Sequence, residues 1–258
     1  MADEVVKILD NRKVNEKYYK LSFCSHEIAR GAQPGQFLHI QINPTLDPFW
    51  RRPFSFYRVD GDEIEILYEI LGHGTAMLAQ KQAGEVLKVM GPLGKPFRKA
   101  VKPKKRICVA GGVGLPPLLY LAECEDVDFF LIGAKSRSEV MPDSELEHIK
   151  GTVMYSTNDG SYGVKGYVTV LLEQILKEER PEDVFIQTCG PMVMMQAVRD
   201  LAEARYIKGE ASVDETMACG LGVCLGCMVK THAGWLPSCT EGPVFDFSQL
   251  QGSLICQT

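Results

Sequence analysis

No stretch of this chain runs for about 18 apolar residues, so no segment is expected to span a membrane as a helix. Positive charge is also scarce. Against 33 Asp and Glu stand only 28 Lys and Arg, a net charge of −5, which gives no electrostatic case for nucleic acid. The one basic run, Lys102-Pro-Lys-Lys-Arg106, sits between two patterned regions and reads as a solvated linker. The N-terminal Met-Ala-Asp-Glu is acidic and lacks the apolar core of an export signal. Nine cysteines without such a signal point to a reducing compartment, where thiols act as ligands or as buried small hydrophobes. The expectation is a cytoplasmic protein. Nor does any group of residues present itself as a general acid and base for remaking carbon bonds. What remains is ordinary: 258 residues, 45% hydrophobic and 24% charged, enough for two domains and a small appendage.

The concentrated signal is near the C-terminus, in Cys219-Gly-Leu-Gly-Val-Cys224-Leu-Gly-Cys227, with Cys239 beyond. Three thiols in nine residues, separated by Gly220, Gly222 and Gly226, describe a tight loop whose N–H groups turn inward. Inward N–H groups suit a bound object carrying negative sulfurs. The C-x4-C-x2-C spacing is that of plant-type [2Fe–2S] ferredoxins, whose four thiolates hold two irons. Four-thiolate zinc is the alternative, although such sites usually pair two C-x2-C hooks and only one is present here. A disulfide reading fits an intracellular chain less well.

Through residue 97 the chain reads as short strands, clearest at 18–23, 37–42, 54–59, 63–68 and 86–90, with turn residues between them. An antiparallel β-barrel or sandwich is expected. Gly72-His-Gly74-Thr75 opens the one helical stretch foreseen in this half, 76–82, and exposed N–H groups at a helix start suit phosphate. Some twenty residues earlier stands Arg51-Arg52-Pro53-Phe54-Ser55. Pro53 biases Arg52 towards extended backbone, which can aim the guanidinium fork at a diphosphate. Phe54 would then offer a face, and Ser55 a hydroxyl, to a flat ring. An edge strand with a surface arginine is the plainer reading of the motif alone.

Together the two motifs resemble the FAD-binding barrel of the ferredoxin reductase superfamily. The resemblance implies that Arg52 and the Gly74-Thr75 turn bind the FAD diphosphate, that Ser55 faces the isoalloxazine, and that Pro53, Phe54 and Gly72 belong to the same cofactor site. It also implies that Leu67, Tyr68 and Glu69 run beside the ribityl and adenosine portions, and that Gly91-Pro-Leu-Gly94 closes the barrel. Many members have tyrosine where Phe54 stands; phenylalanine keeps the face and loses the hydroxyl.

The middle of the chain alternates strands (106–110, 128–132, 152–156, 184–188) with helices (118–123, 166–179, 192–204), which implies a parallel sheet binding ligand at its strand C-termini. Gly111-Gly112-Val-Gly114 follows the first strand as a phosphate-approach turn, with Pro117 where a third glycine would stand. Cys189-Gly190-Pro191 ends the last strand. Each has a plain structural reading, a ligand-free turn and a buried small residue. In the reductase superfamily both turns contact the pyridine nucleotide, the second beside the nicotinamide. Lys135 and Arg137 could read a 2′-phosphate, whereas Asp159 would repel one; NAD is favoured from the wider resemblance below.

The order of parts is a FAD barrel (1–99), a nucleotide-binding α/β domain (100–208) and a [2Fe–2S] segment (209–258) ending in Gly242-Pro-Val-Phe-Asp-Phe247. It resembles the family of dihydroorotate dehydrogenase B electron-transfer subunits over nearly the whole chain, with a short Cys227–Cys239 gap that trims a hairpin. The fold class expected is thus multidomain α+β. By that resemblance Cys219, Cys224, Cys227 and Cys239 ligate the cluster, and the partner is an FMN-bearing catalytic subunit that oxidises dihydroorotate to orotate in pyrimidine biosynthesis, within a heterotetramer. Electron counting agrees: a nicotinamide delivers two electrons, a cluster takes one, and a flavin does both. Related subunits serve NADH-dependent ferredoxin:NADP+ oxidoreductases, sulfide dehydrogenases and hydrogenases; a zinc-holding interaction protein is the non-enzymatic alternative.

Overall fold

The computed structural model describes residues 1–99 and 105–254; residues 102–104 of the basic run and Cys256 lie outside them. Two seven-stranded sheets and a hairpin account for all the strands among the described residues. The first sheet is antiparallel and curls into a half-barrel. It comprises β1 (Ala2–Lys13), β2 (Tyr18–Cys24), β3 (Phe37–Gln41), β4 (Arg52–Ser55), β5 (Arg58–Asp60), β6 (Glu63–Glu69) and β7 (Val86–Leu93), in the order β4-β3-β7-β1-β2-β6-β5. Its inner face buries Val6, Ile8, Leu21, Phe23, Leu38, Ile40, Ile64 and Ile66, the period-two face of each strand.

Three local expectations change. The strand foreseen at 54–59 breaks into β4 and β5, because the adjacent Phe56 and Tyr57 are both fully buried in different cores. Phe56 enters the barrel, and Tyr57 enters the seam with the second sheet. The helix foreseen at 76–82 is α2 (His73–Leu78): the Thr75 hydroxyl accepts from the N–H groups of Leu71 and Gly72, and this draws its start back. That helix is not alone in this half. α1 (His26–Gly31) is capped by Ser25, whose hydroxyl accepts from Ile28 N–H at 3.2 Å, and is too short for its periodicity to be legible.

The second sheet holds β8 (Lys105–Gly111), β9 (Phe129–Ala134), β10 (Thr152–Thr157), β11 (Val164–Lys165), β12 (Val184–Cys189), β13 (Lys208–Ser212) and β16 (Val244–Asp246), in the order β11-β10-β9-β8-β12-β13-β16. All its pairings are parallel except β13 with β16. β14 (Met228–Thr231) and β15 (Gly234–Pro237) form the separate hairpin that fills the gap between Cys227 and Cys239. Helix α3 (Leu115–Cys124) is apolar on nearly every side because it is covered twice. Leu115, Leu118 and Leu119 share one core with Cys108 and Phe130 of the sheet and with Tyr18, Tyr57 and Leu67 of the barrel. α4 (Thr169–Glu178) and α5 (Met192–Glu203) cover the opposite face. The C-terminal stretch also returns there: Phe245, Phe247 and Leu250 pack beside Val198 and Ile207. Among the described residues no helix is long and apolar enough to cross a membrane.

Candidate functional site

A cavity of about 700 Å³ opens between the half-barrel, the ends of β8 and β12, and the chain leading into the cysteine loop. Arg52, Pro53, Phe54, Ser55, Leu67, Tyr68, Glu69, Gly72, Gly74 and Thr75 all line it. The volume lies within the range of small-molecule sites. Of the two adjacent arginines, Arg51 is taken by Asp3 through two contacts of 2.9 and 3.2 Å, while Arg52 turns into the cavity. Arg52 Nη1 donates to Trp50 O at 2.6 Å, and the guanidinium crosses the start of α2 where Gly74 has no side chain. Phe54 meets Tyr68 edge to face at 5.9 Å, and the Tyr68 hydroxyl donates to Asn11 Oδ1 at 2.9 Å. A charged fork, a glycine gap and two aromatic side chains on one wall fit a flavin dinucleotide.

The turns foreseen for the nicotinamide nucleotide lie side by side. Cys189 pairs in register with Ala110, so Gly111-Gly112-Val113-Gly114 and Cys189-Gly190-Pro191 leave the sheet at neighbouring strand ends. Gly114 is required there: a Cβ would overlap the backbone of Cys189 and Gly190. Cys189 faces the cavity, as do Val113 and Pro116; Pro117 is buried inside α3, and Gly111, Gly112, Gly114, Gly190 and Pro191 are not among its lining residues. Burial foremost, with the Asp214 charge beside it, pushes the Cys189 thiol up to about 12, so it stays protonated. The structure also brings Lys135, Arg137 and Asp159 into one loop cluster: Arg137 N–H donates to Ser161 Oγ, and the Ser161 hydroxyl donates to Asp159.

The four foreseen cysteines interact with one another, most strongly in two pairs. Cys219 contacts Cys224, and Cys227 contacts Cys239. Although burial opposes it, N–H groups of Leu221, Cys224 and Val223 pull the Cys219 thiol down to about 6. Gly222 N–H donates to Cys239 Sγ at 3.2 Å, yet burial and the Cys227 thiol hold Cys239 up at about 12. Among the described residues no group of three or more His, Cys, Asp or Glu is arranged to hold a single metal ion. Four cysteine thiols with N–H groups of the loop turned onto their sulfurs are residues that would hold a two-iron cluster.

Several lining residues escaped the sequence reading. Asp214, Glu215, Thr216, Met217 and Ala218 form the cavity wall that runs directly into Cys219. Asp214 is exposed to the cavity, and the protein packed around its carboxyl raises it above the usual range. Lys17 brings its ammonium to 3.8 Å from where a Cβ on Gly112 would stand and pairs with Glu139 at 3.0 Å. Residue 17 lies some ninety positions from that turn, and no local pattern could join them.

A family model described as the iron–sulfur cluster binding domain of dihydroorotate dehydrogenase B matches residues 214–251. A relative from Clostridium acetobutylicum, named dihydroorotate dehydrogenase B (NAD(+)), electron transfer subunit, is 37% identical over 254 residues, covering 95% of this chain and 96% of the relative. One of the same name from Desulforamulus reducens is 33% identical, covering 93% of this chain and 94% of the relative. The chain belongs to the family of dihydroorotate dehydrogenase B electron transfer subunits.

Solved structures agree on the fold. The structure of an NADH-dependent reduced ferredoxin-NADP oxidoreductase superposes with a TM-score of 0.84 at 22% identity, over 96% of this chain and 90% of that one. A ferredoxin NADP+ reductase from Neisseria gonorrhoeae with bound FAD and NADP gives 0.66 at 17% identity, over 80% of this chain and 92% of that one.

Proposed function

We propose that this chain is the electron-transferring half of a two-subunit enzyme that oxidises dihydroorotate to orotate and delivers the electrons to NAD+. Its residues hold FAD in the 700 Å³ cavity, NAD(H) at the ends of β8 and β12, and a [2Fe–2S] cluster between the couples Cys219/Cys224 and Cys227/Cys239. One observation carries the reading. Phe37 and Met217 line the flavin cavity and belong to the same buried group as Cys227 and Cys239, so the two sites share a wall.

Bound FAD exchanges two electrons with a nicotinamide and single electrons with a cluster. The chain supplies position and field. Arg52 clamps the diphosphate with a planar fork that lysine cannot reproduce. Gly114 lets the two nucleotide turns close on one another, and Cys189 stays a neutral thiol where an anion would repel an arriving hydride. The partner is an FMN-bearing catalytic subunit, in a heterotetramer of two chains of each kind, working in the cytoplasm. Leu221, Val223 and Leu225 are exposed on the cysteine loop beside the exposed Cys224, an apolar rim that suits a docked protein.

The test is the purified complex with its dihydroorotate-oxidising partner. Brown-yellow absorption bleached by NADH is expected, with a paramagnetic signal on reduction. Cys224→Ser should abolish NAD+ reduction and leave the partner's turnover with artificial acceptors intact; unaltered NAD+ reduction in that variant overturns the reading. The fold neighbour favours a second assignment, to an NADH-dependent ferredoxin:NADP+ oxidoreductase. Co-purification with a ferredoxin-reducing chain in place of an FMN protein would establish it.

A further inference from the structure

Strand β3 turns its two faces to different neighbours. Leu38 and Ile40 enter the barrel core, while Phe37 and His39 alternate onto the other face, under the cysteine loop. Phe37 packs with Cys227 and Cys239, and its ring meets the His39 ring edge to face at 6.0 Å. The His39 ring lies against Gly220, the residue after Cys219. A Cβ there would stand 2.9 Å from Nδ1 and 3.1 Å from Cε1, and Gly220 keeps its φ of +71° in the left-handed region that glycine tolerates.

His39 is fully buried, and among the described residues neither ring nitrogen has a hydrogen-bond partner. Its cross-strand neighbours are Pro53 and Met90, neither of which carries a polar hydrogen on its side chain. Arg51 reaches only its carbonyl, at 3.4 Å. A buried donor left unmet carries its full desolvation penalty, so a native imidazole in this position wants a partner. Burial foremost, then the charges of Arg51 and Arg52, hold its pKa down at about 4. The neutral ring carries one N–H donor. What lies across Gly220 from it is the cysteine loop.

We propose that His39 is a positioning residue for the iron–sulfur group: its ring N–H donates to a sulfur held in the Cys219–Cys239 loop and thereby raises the cluster's reduction potential. The inference rests on the cluster assignment made above. A donor beside the sulfurs favours the reduced, more negative state, and outer hydrogen bonds are among the main controls on such potentials. The same contact explains why an imidazole rather than an aliphatic side chain stands between Phe37 and the start of the loop.

The experiment is a redox titration of the intact chain followed by electron paramagnetic resonance. His39→Phe keeps the ring and loses the donor. The cluster's midpoint should fall by about tenfold in the one-electron equilibrium, about 59 mV. His39→Gln, which keeps an N–H, should recover part of the shift. Pulsed resonance on the wild-type chain labelled with 15N-histidine should show a nitrogen coupling that is absent from His39→Phe, and it decides the matter if that variant loses its cluster. An unmoved midpoint in His39→Phe, or no coupling in the labelled protein, overturns the inference and leaves the cluster standing. A wild-type chain without an iron–sulfur signal overturns the cluster assignment, and this inference with it.

Discussion

Arg52 and Gly74 meet where β4 passes the first turn of α2, and a methyl group on Gly74 would stand 3.0 Å from the guanidinium Nε. The arginine occupies space that only glycine leaves free. Gly74→Val should therefore push the guanidinium off its position. FAD affinity should fall about tenfold to a hundredfold, the worth of hydrogen bonds to a charged group at about 1.5–3 kcal/mol. Arg52→Lys should weaken it in the same direction, since an ammonium cannot engage two oxygens as a fork. Flavin fluorescence during titration of the apoprotein measures both; undiminished affinity in Gly74→Val would remove Arg52 from the binding site.

Gly114→Ala places a methyl group inside the backbone of Cys189 and Gly190. The clash is with main chain and cannot be relieved by a rotamer change, so overpacking should cost about 1–3 kcal/mol. At roughly 2–4 °C per kcal/mol for a chain of this size, melting should drop by several degrees. Because the turn foreseen for nicotinamide is the part displaced, bleaching by NADH should slow more than FAD content declines. Stopped-flow absorbance beside flavin extraction separates the two, and equal losses would point to global unfolding instead.

Asp214 gives a prediction in pH. Its folded pKa is raised above the ordinary 3.8 by burial, so the native state binds the proton more tightly than the unfolded chain. Native stability is then undiminished below the unfolded value and declines as pH rises from there through the folded pKa. Asp214→Asn should raise the melting temperature at neutral pH and leave it unchanged near pH 3. Thermal scans across that range check it; equal gains at both ends would show that charge is not the cause.

Glu145 works in the opposite sense. It joins the α/β unit to the barrel, accepting from Lys20 Nζ at 3.0 Å and from the Tyr57 hydroxyl at 2.5 Å. Burial would raise its pKa, but the Tyr57 and Lys20 hydrogen bonds outweigh burial and lower it below 4.5. This stabilisation is complete above the unfolded value and is lost as pH falls through the lowered one. Glu145→Gln leaves Lys20 buried with only Glu65, at 3.4 Å, and should cost about 3 kcal/mol, the lower end for breaking a buried pair. Chemical denaturation at pH 7 and near pH 3 should find a smaller gap between the variant and wild type at the second, because acid removes the charge-dependent part of the stabilisation.

The sequence determined what is local in this protein. Glycine and cysteine spacing in 219–227 announces a sulfur-lined loop, Arg52-Pro53-Phe54-Ser55 and Gly72–Thr75 mark two segments that come to line one cavity, and strand–glycine–helix order announces the parallel sheet, because each signal lies within a few residues of the atoms it organises. Tertiary structure decided what depends on distance along the chain. It chose Arg52 over Arg51 by giving Arg51 to Asp3, drew Asp214 and Lys17 towards the two nucleotide turns, and divided Phe56 from Tyr57 between two cores. It also laid His39 beneath Gly220, a contact between residues 181 positions apart that only the docking of the cysteine loop on the outer face of β3 creates. Side-chain type and short spacing fix the chemistry a segment can offer; the packing of one sheet against another fixes which of those offers face the same cavity.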